Sequence, residues 1–215
     1  LDQNKEKIKD ESGVDVETFI STYGLNEAIE KATSEKKSDL IVMGTLGSSG
    51  LKEKIWGSHT SAVIGNTKVP VMVIPHDYTW KKPRKILIAT NHFQRDSKIL
   101  NYIFELAGLY MANVQVAVFT DTDDEKAEIY LENKQNIADY ERFLKTNYNE
   151  STLTSVHLTG TDFGKTIQDY IQENEIDMMV MITYQAGFWK RLFNPSMTRK
   201  MSYNTRIPLL AIPAE

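Results

Sequence analysis

The segment from Asp39 to Pro75 aligns without a gap on Asp177 to Pro213, a shift of 138 positions. Identities include Asp39/Asp177, Val42/Val180, Met43/Met181, Lys52/Lys190, Ser58/Ser196, Thr60/Thr198, Asn66/Asn204, Pro70/Pro208 and Pro75/Pro213, and the positions between them exchange apolar for apolar. Self-similarity at one fixed shift means two copies of one structural unit. The 215 residues do not hold both copies whole. If the second begins near Lys82-Pro83-Arg84, the same shift starts the first about 55 positions before Leu1. The expected division is therefore 1–79 for the rear of a first unit, 80–84 for a linker, and 85–215 for a complete second unit. A first residue of Leu rather than Met fits that reading.

The second copy shows how the unit is built. Lys85-Ile86-Leu87-Ile88-Ala89-Thr90 is a short branched apolar run, as in a buried strand. Ile99, Leu100, Ile103, Phe104, Ala107 and Tyr110 then recur at helical spacing behind Asp96-Ser97, a cap. Val114 to Phe119 predicts a second strand. The acids Asp121 to Glu125 lead into a long polar helix. They lack the Gly and the closing Glu of a calcium loop and suit a helix N-terminus. A strand over Thr154 to Leu158, a helix over Lys165 to Asn174, and strands over Met178 to Ile182 and Pro208 to Ile212 complete the unit. The first copy keeps a strand near Val16 to Ile20, a helix from Leu25 to Lys36, strand Leu40 to Met43, a loop and helix to Gly65, and strand Val71 to Ile74. Strands alternating with helices predict an α/β fold, a doubly wound parallel sheet with helices on both faces.

Composition excludes several function classes. The absence of cysteine removes disulfide frameworks, thiolate metal sites and cysteine nucleophiles, and is compatible with a cytoplasmic location. A net charge of −4 gives no global attraction to nucleic acid or to an anionic membrane, and neither is expected as a partner. The longest apolar runs, such as Val69 to Pro75, are far shorter than the ~20 residues of a spanning helix. Trp80-Lys81-Lys82-Pro83-Arg84 reads as a solvated connector. His59, His76, His92 and His157 are scattered, with no spacing for a metal or a triad.

The informative loop is Met43-Gly44-Thr45-Leu46-Gly47, nine further residues, then Gly57-Ser58. It leaves the carboxyl end of a strand, where ligands sit in open parallel sheets. Glycines let backbone N–H groups close on phosphate oxygens, and a helix opening at Ser58-His59-Thr60 adds its free N–H groups and positive dipole end.

Together, Met43 to Lys52, Trp56-Gly57-Ser58 and Val69 to Pro75 resemble the G-x-x-G-x9-G-[ST] loop and last strand of the universal stress proteins, specifically their tandem-domain members. The resemblance runs in register along the whole chain. It implies an adenine nucleotide alpha hydrolase-like sheet of order 3-2-1-4-5 in each unit, the first lacking its N-terminal strands, and a role in the stress response. It implies ATP as ligand, with Mg2+ as its companion. Gly44 and Gly47 would lie near the ribose and phosphates, Gly57 and Ser58 on the phosphates, and Met43, His59 and Thr60 along the remaining wall. It further implies antiparallel pairing of the fifth strands of the two halves.

The second copy departs from this pattern. Ile182, Gln185 and Pro195 replace Gly44, Gly47 and Gly57, and Thr90-Asn91 stands where the family usually shows Thr-Asp. Side chains and a proline without an N–H should prevent phosphate cradling, so nucleotide is expected in the first half only. Phe188, Trp189, Arg191, Leu192 and Phe193 crowd the altered loop, either as a partner surface or as packing against the other half or a second chain. Two further functions stay open: an interaction or dimerisation module without nucleotide, and a slow ATP hydrolase using Ser58 or His59, for which no activated nucleophile can be named. Apolar fifth strands at a sheet edge also predict a homodimer.

Overall fold

The computed structural model describes residues 2–45, 58–90, 93–123, 127–148, 152–183 and 206–214, with the side chains of Ser58 and His59 left undescribed. By contact density the chain forms two compact units, Leu1–Ser38 and Asp39–Glu215.

The larger unit is a seven-stranded sheet. Its strands are β1 (Ile41–Gly44), β2 (Val71–Ile74), β3 (Lys85–Thr90), β4 (Asn113–Asp121), β5 (Thr154–Gly160), β6 (Met178–Thr183) and β7 (Leu209–Pro213). The spatial order is β1-β2-β7-β6-β3-β4-β5. Counted within the second copy, β3 to β7 stand in the expected order 3-2-1-4-5, and all four of their pairings are parallel. The two fifth strands meet antiparallel at the seam, with Met72 opposite Leu210. With β1 on the far side of β2 and β6 on the far side of β7, both sides of the two fifth strands are occupied. The edges that the sequence offers to a second copy are thus already used within one chain.

Helices cover both faces, as the alternating pattern of apolar positions requires. On one face α4 (Ser97–Tyr110) and α5 (Ala127–Tyr148) bury Ile99, Leu100, Ile103, Tyr140 and Leu144 against Ile86, Ile88, Val116 and Val180. Met72 from the first copy joins this same core across the seam. On the other face α6 (Phe163–Glu173) buries Phe163, Ile167 and Ile171, and the Phe163 ring sits edge-on to Phe119 at 5.1 Å. The cap predicted at Asp96 acts: its carboxylate accepts from the Lys98 N–H; a second cap, not foreseen, is Asp162, which accepts from the Lys165 N–H at the start of α6. α3 (Ser58–Asn66) begins at the predicted residue.

The smaller unit holds α1 (Asp2–Ser12) and α2 (Leu25–Lys36). Shifted by 138 positions, α1 overlies the end of α5 and α2 overlies α6. The expected strand at Val16 to Ile20 is absent: these residues are irregular. Their counterpart β5 is an edge strand that takes all its ladder bonds from β4. Among the described residues nothing plays the part of β4 for the first copy, and a strand without a ladder leaves its N–H and C=O groups unpaired. No residue from 2 to 38 is buried.

Candidate functional site

The candidate site lies at the carboxyl end of β1. Met43 and Gly44 close the strand, Met43 half-buried and Gly44 exposed. The Thr45 N–H donates to the Ile74 carbonyl at 3.2 Å, and the Thr45 hydroxyl accepts from the His76 N–H at 3.2 Å, so both strands end together. Thr60, only 2% exposed, turns its hydroxyl to the Gly44 carbonyl at 3.4 Å. This contact holds the first turn of α3 over the end of β1. Ser58 and His59 are the first two residues of that helix. Gly47 and Gly57 lie outside the described residues.

Among the described residues nothing requires a glycine at 44. Its φ is not in the left-handed region, and among the described residues a Cβ placed there would meet only the Ile74 carbonyl oxygen, at 4.0 Å. A side chain would fit the fold. What its absence leaves is bare backbone in front of a helix N-terminus, where free N–H groups and the dipole favour an anion.

The same place in the second copy is closed. Ile182, the counterpart of Gly44, is 4% exposed and belongs to the core. Thr183, the counterpart of Thr45, spends its hydroxyl on the Ile212 carbonyl at 3.2 Å. Farther along the strand ends, Asn133 donates its side-chain amide to the Thr120 hydroxyl at 2.8 Å, and that oxygen lies 2.8 Å from His157 Nε2. Thr120 and Asn133 are buried, so the network is satisfied internally. Burial, aided by the charge of Lys134, keeps the His157 imidazole below its ordinary pKa and so neutral. Gln185, Pro195, Ser196 and the cluster from Phe188 to Phe193 lie outside the described residues, as does Asn91.

Sequence reasoning passed over Asp177. The residue is 8% exposed, and its carboxylate accepts from the N–H groups of Arg84 and Lys85 at 2.9 and 3.1 Å, while Lys81 Nζ sits 2.6 Å away. Burial alone would raise its pKa. The Lys81 ammonium and the two backbone donors outweigh that and hold it below the usual carboxylate range. The signal was its identity with Asp39, but the partners lie 92 and 93 positions away in the chain.

Among the described residues no helix is long and apolar enough to cross a membrane. The model of the universal stress protein family matches residues 1–75 and 82–213. A universal stress protein of Methanocaldococcus jannaschii is 41% identical over 80 residues, which make up 37% of this chain and 43% of that relative. A solved universal stress protein from Archaeoglobus fulgidus superposes with a TM-score of 0.66 at 18% identity, covering 99% of this chain and 76% of its own, a likeness of fold. Another from Archaeoglobus fulgidus, solved in complex with dAMP, matches at a TM-score of 0.42 and 17% identity over 61% of this chain.

Proposed function

Since the chain belongs to the universal stress protein family, we propose that it binds ATP through the loop that leaves β1, and that the bound nucleotide serves regulation rather than turnover. The observation that carries this reading is Gly44: an exposed strand end where the described residues give no packing or conformational need for glycine, set against the first turn of α3 by Thr60. Gly47 and Gly57 would extend the bare backbone along the phosphates, and Ser58 would add a hydroxyl to the N–H groups of the helix start. Met43 and His59 would line the remaining wall. Thr60 acts by position, since its hydroxyl is already given to Gly44. Mg2+, if it accompanies the nucleotide, supplies neutralising charge to the phosphates.

Nucleotide is assigned to the first half because the second closes the equivalent strand end with Ile182 and Thr183. The division into a first unit to residue 79 and a second from 85 belongs to the same proposal. So do a cytoplasmic, stress-response role and self-association, the latter through a surface other than the fifth strands.

Calorimetric titration of Mg–ATP tests the reading. Binding tighter than about millimolar, lost in Gly57→Pro, supports it. Equal heats from both proteins, or none from either, would leave the interaction module as the better account. Steady phosphate release abolished by Ser58→Ala would move the assignment to a slow hydrolase.

A further inference from the structure

β5 is the outermost strand of the second copy, whose five strands are all described, and among the described residues its ladder partner is β4 alone. Two bonds fix which backbone groups face outward. The Gly160 carbonyl accepts from the Thr122 N–H at 3.0 Å, so Gly160 addresses the β4 side. Successive residues alternate, which turns the N–H and C=O of Ser155, His157 and Thr159 away from β4. The Ser155 N–H agrees, since it donates to Glu141 Oε2 at 2.8 Å.

That carboxylate covers the start of the strand edge. Glu141 reaches from α5, accepts from the Ser155 N–H and, at 2.5 Å, from the Ser155 hydroxyl, while Lys145 Nζ holds its Oε1 at 2.7 Å. Burial alone would raise its pKa. The bonds from Lys145 and Ser155 outweigh that and hold the carboxyl below its ordinary value, charged. The strand itself lacks the residues that keep edges apart: 154–160 contain no lysine, no acid and no proline.

The sequence of β5 identifies what such an edge fits. Ser155-Val156-His157-Leu158-Thr159 has the same chemistry read from either end: hydroxyl, apolar, imidazole, apolar, hydroxyl. An antiparallel twin centred on His157 sets Val156 opposite Leu158 and Ser155 opposite Thr159, twice over, which is the self-match a two-fold axis needs. In this register His157 exchanges both backbone bonds with its twin. The Ser155 N–H must donate to the Thr159 carbonyl of the second copy, and Glu141 occupies that donor.

From this we infer that β5 is a self-association edge, that its partner is β5 of a second copy paired antiparallel about His157, and that Glu141 keeps the edge closed until it releases Ser155. This gives the self-association proposed above a surface, and it rests on none of the nucleotide-binding residues.

Because the chain has no cysteine, single cysteines report the register. Val156 and Leu158 form non-hydrogen-bonded pairs in the twin, with Cα atoms about 4.5 Å apart, whereas like positions lie beyond the ~7 Å reach of a disulfide. Val156→Cys and Leu158→Cys chains are mixed under mild oxidant and resolved on non-reducing gels. With Glu141→Ala in both, the mixed disulfide should form at least about tenfold faster than with Glu141 present, and like-with-like disulfides should stay rare. In sedimentation, Glu141→Ala should dimerise at least about tenfold more tightly than the parent chain, and Thr159→Pro, which removes an outward N–H, should undo the gain. Equal disulfide rates with and without Glu141, including none in either, overturn the inference, as do like-with-like disulfides as fast as mixed ones. A dimer indifferent to Glu141→Ala also overturns it, while leaving self-association to another surface. Should Glu141→Ala melt early, Lys145→Ala, which frees the carboxylate from its holder, should shift the rates the same way, and unchanged rates then reject the gate.

Discussion

Val42 and Val180 occupy the same place in two copies of one unit, yet one is 62% exposed and the other 0%. Leu25 and Phe163, again counterparts, are 42% and 1% exposed. At the fifth strands the difference vanishes: Val71 and Leu209 are both 0% exposed. The contrast shows that burial here is a property of neighbours rather than of sequence. β6 is enclosed by β3 and β7, β2 by β1 and β7, and, among the described residues, β1 by β2 alone. The second copy has turned a shared sheet into a closed, self-satisfied body. The first keeps exposed backbone at the end of β1, at Gly44, the feature that a ligand uses in the proposed function.

The largest effects that sharpen this contrast come from paired truncations. Phe163→Ala should cost about 3–5 kcal/mol, since it empties a filled site against Phe119, whereas Leu25→Ala should cost less than about 1 kcal/mol. Urea unfolding of both variants measures the difference, and equal losses would remove the asymmetry. Next comes the carboxylate pair. Asp177→Asn leaves the Arg84 and Lys85 N–H groups and Lys81 with a neutral acceptor and should cost about 1–3 kcal/mol, while Asp39→Asn, at an exposed residue, should be nearly silent.

The pH dependence follows with its sign. Asp177 is held below its ordinary value of 3.8, so its contribution is full above that value and is lost as pH falls through the folded pKa. His157 is held below its ordinary 6.5 and favours the fold only when neutral. Its contribution is full above 6.5 and begins to fall beneath it. Both erode stability on the acid side. Melting temperatures from pH 7.5 downward should decline first below about 6.5, and His157→Gln should delay that first decline. The smallest expected effect on stability is Gly44→Ala, within about 0.5 kcal/mol because the Cβ has room. A larger loss would show that packing, and not a ligand, explains the glycine.

Much of the architecture was legible. The run at 85–90 and the helix at 97–110 were readable end to end, because a buried strand and an amphipathic helix with an aspartate cap carry their signals locally. The antiparallel seam came from the resemblance to a family, not from the residues. The strand expected at 16–20 failed because alternation predicts a strand only where a partner exists. The loop at 43–60 announced itself by glycine spacing, but the bond from Thr60 to Gly44 did not. Asp177 and the Asn133–Thr120–His157 network were invisible for the same reason: each is assembled by the sheet from distant segments, and no spacing along the chain encodes it.

Hydrogen–deuterium exchange with and without Mg–ATP bears most directly on the division of labour between the copies. The account predicts slowed exchange in peptides spanning residues 44–62, with those spanning 182–200 unchanged. Protection confined to 182–200, or shared equally between the two segments, would contradict it.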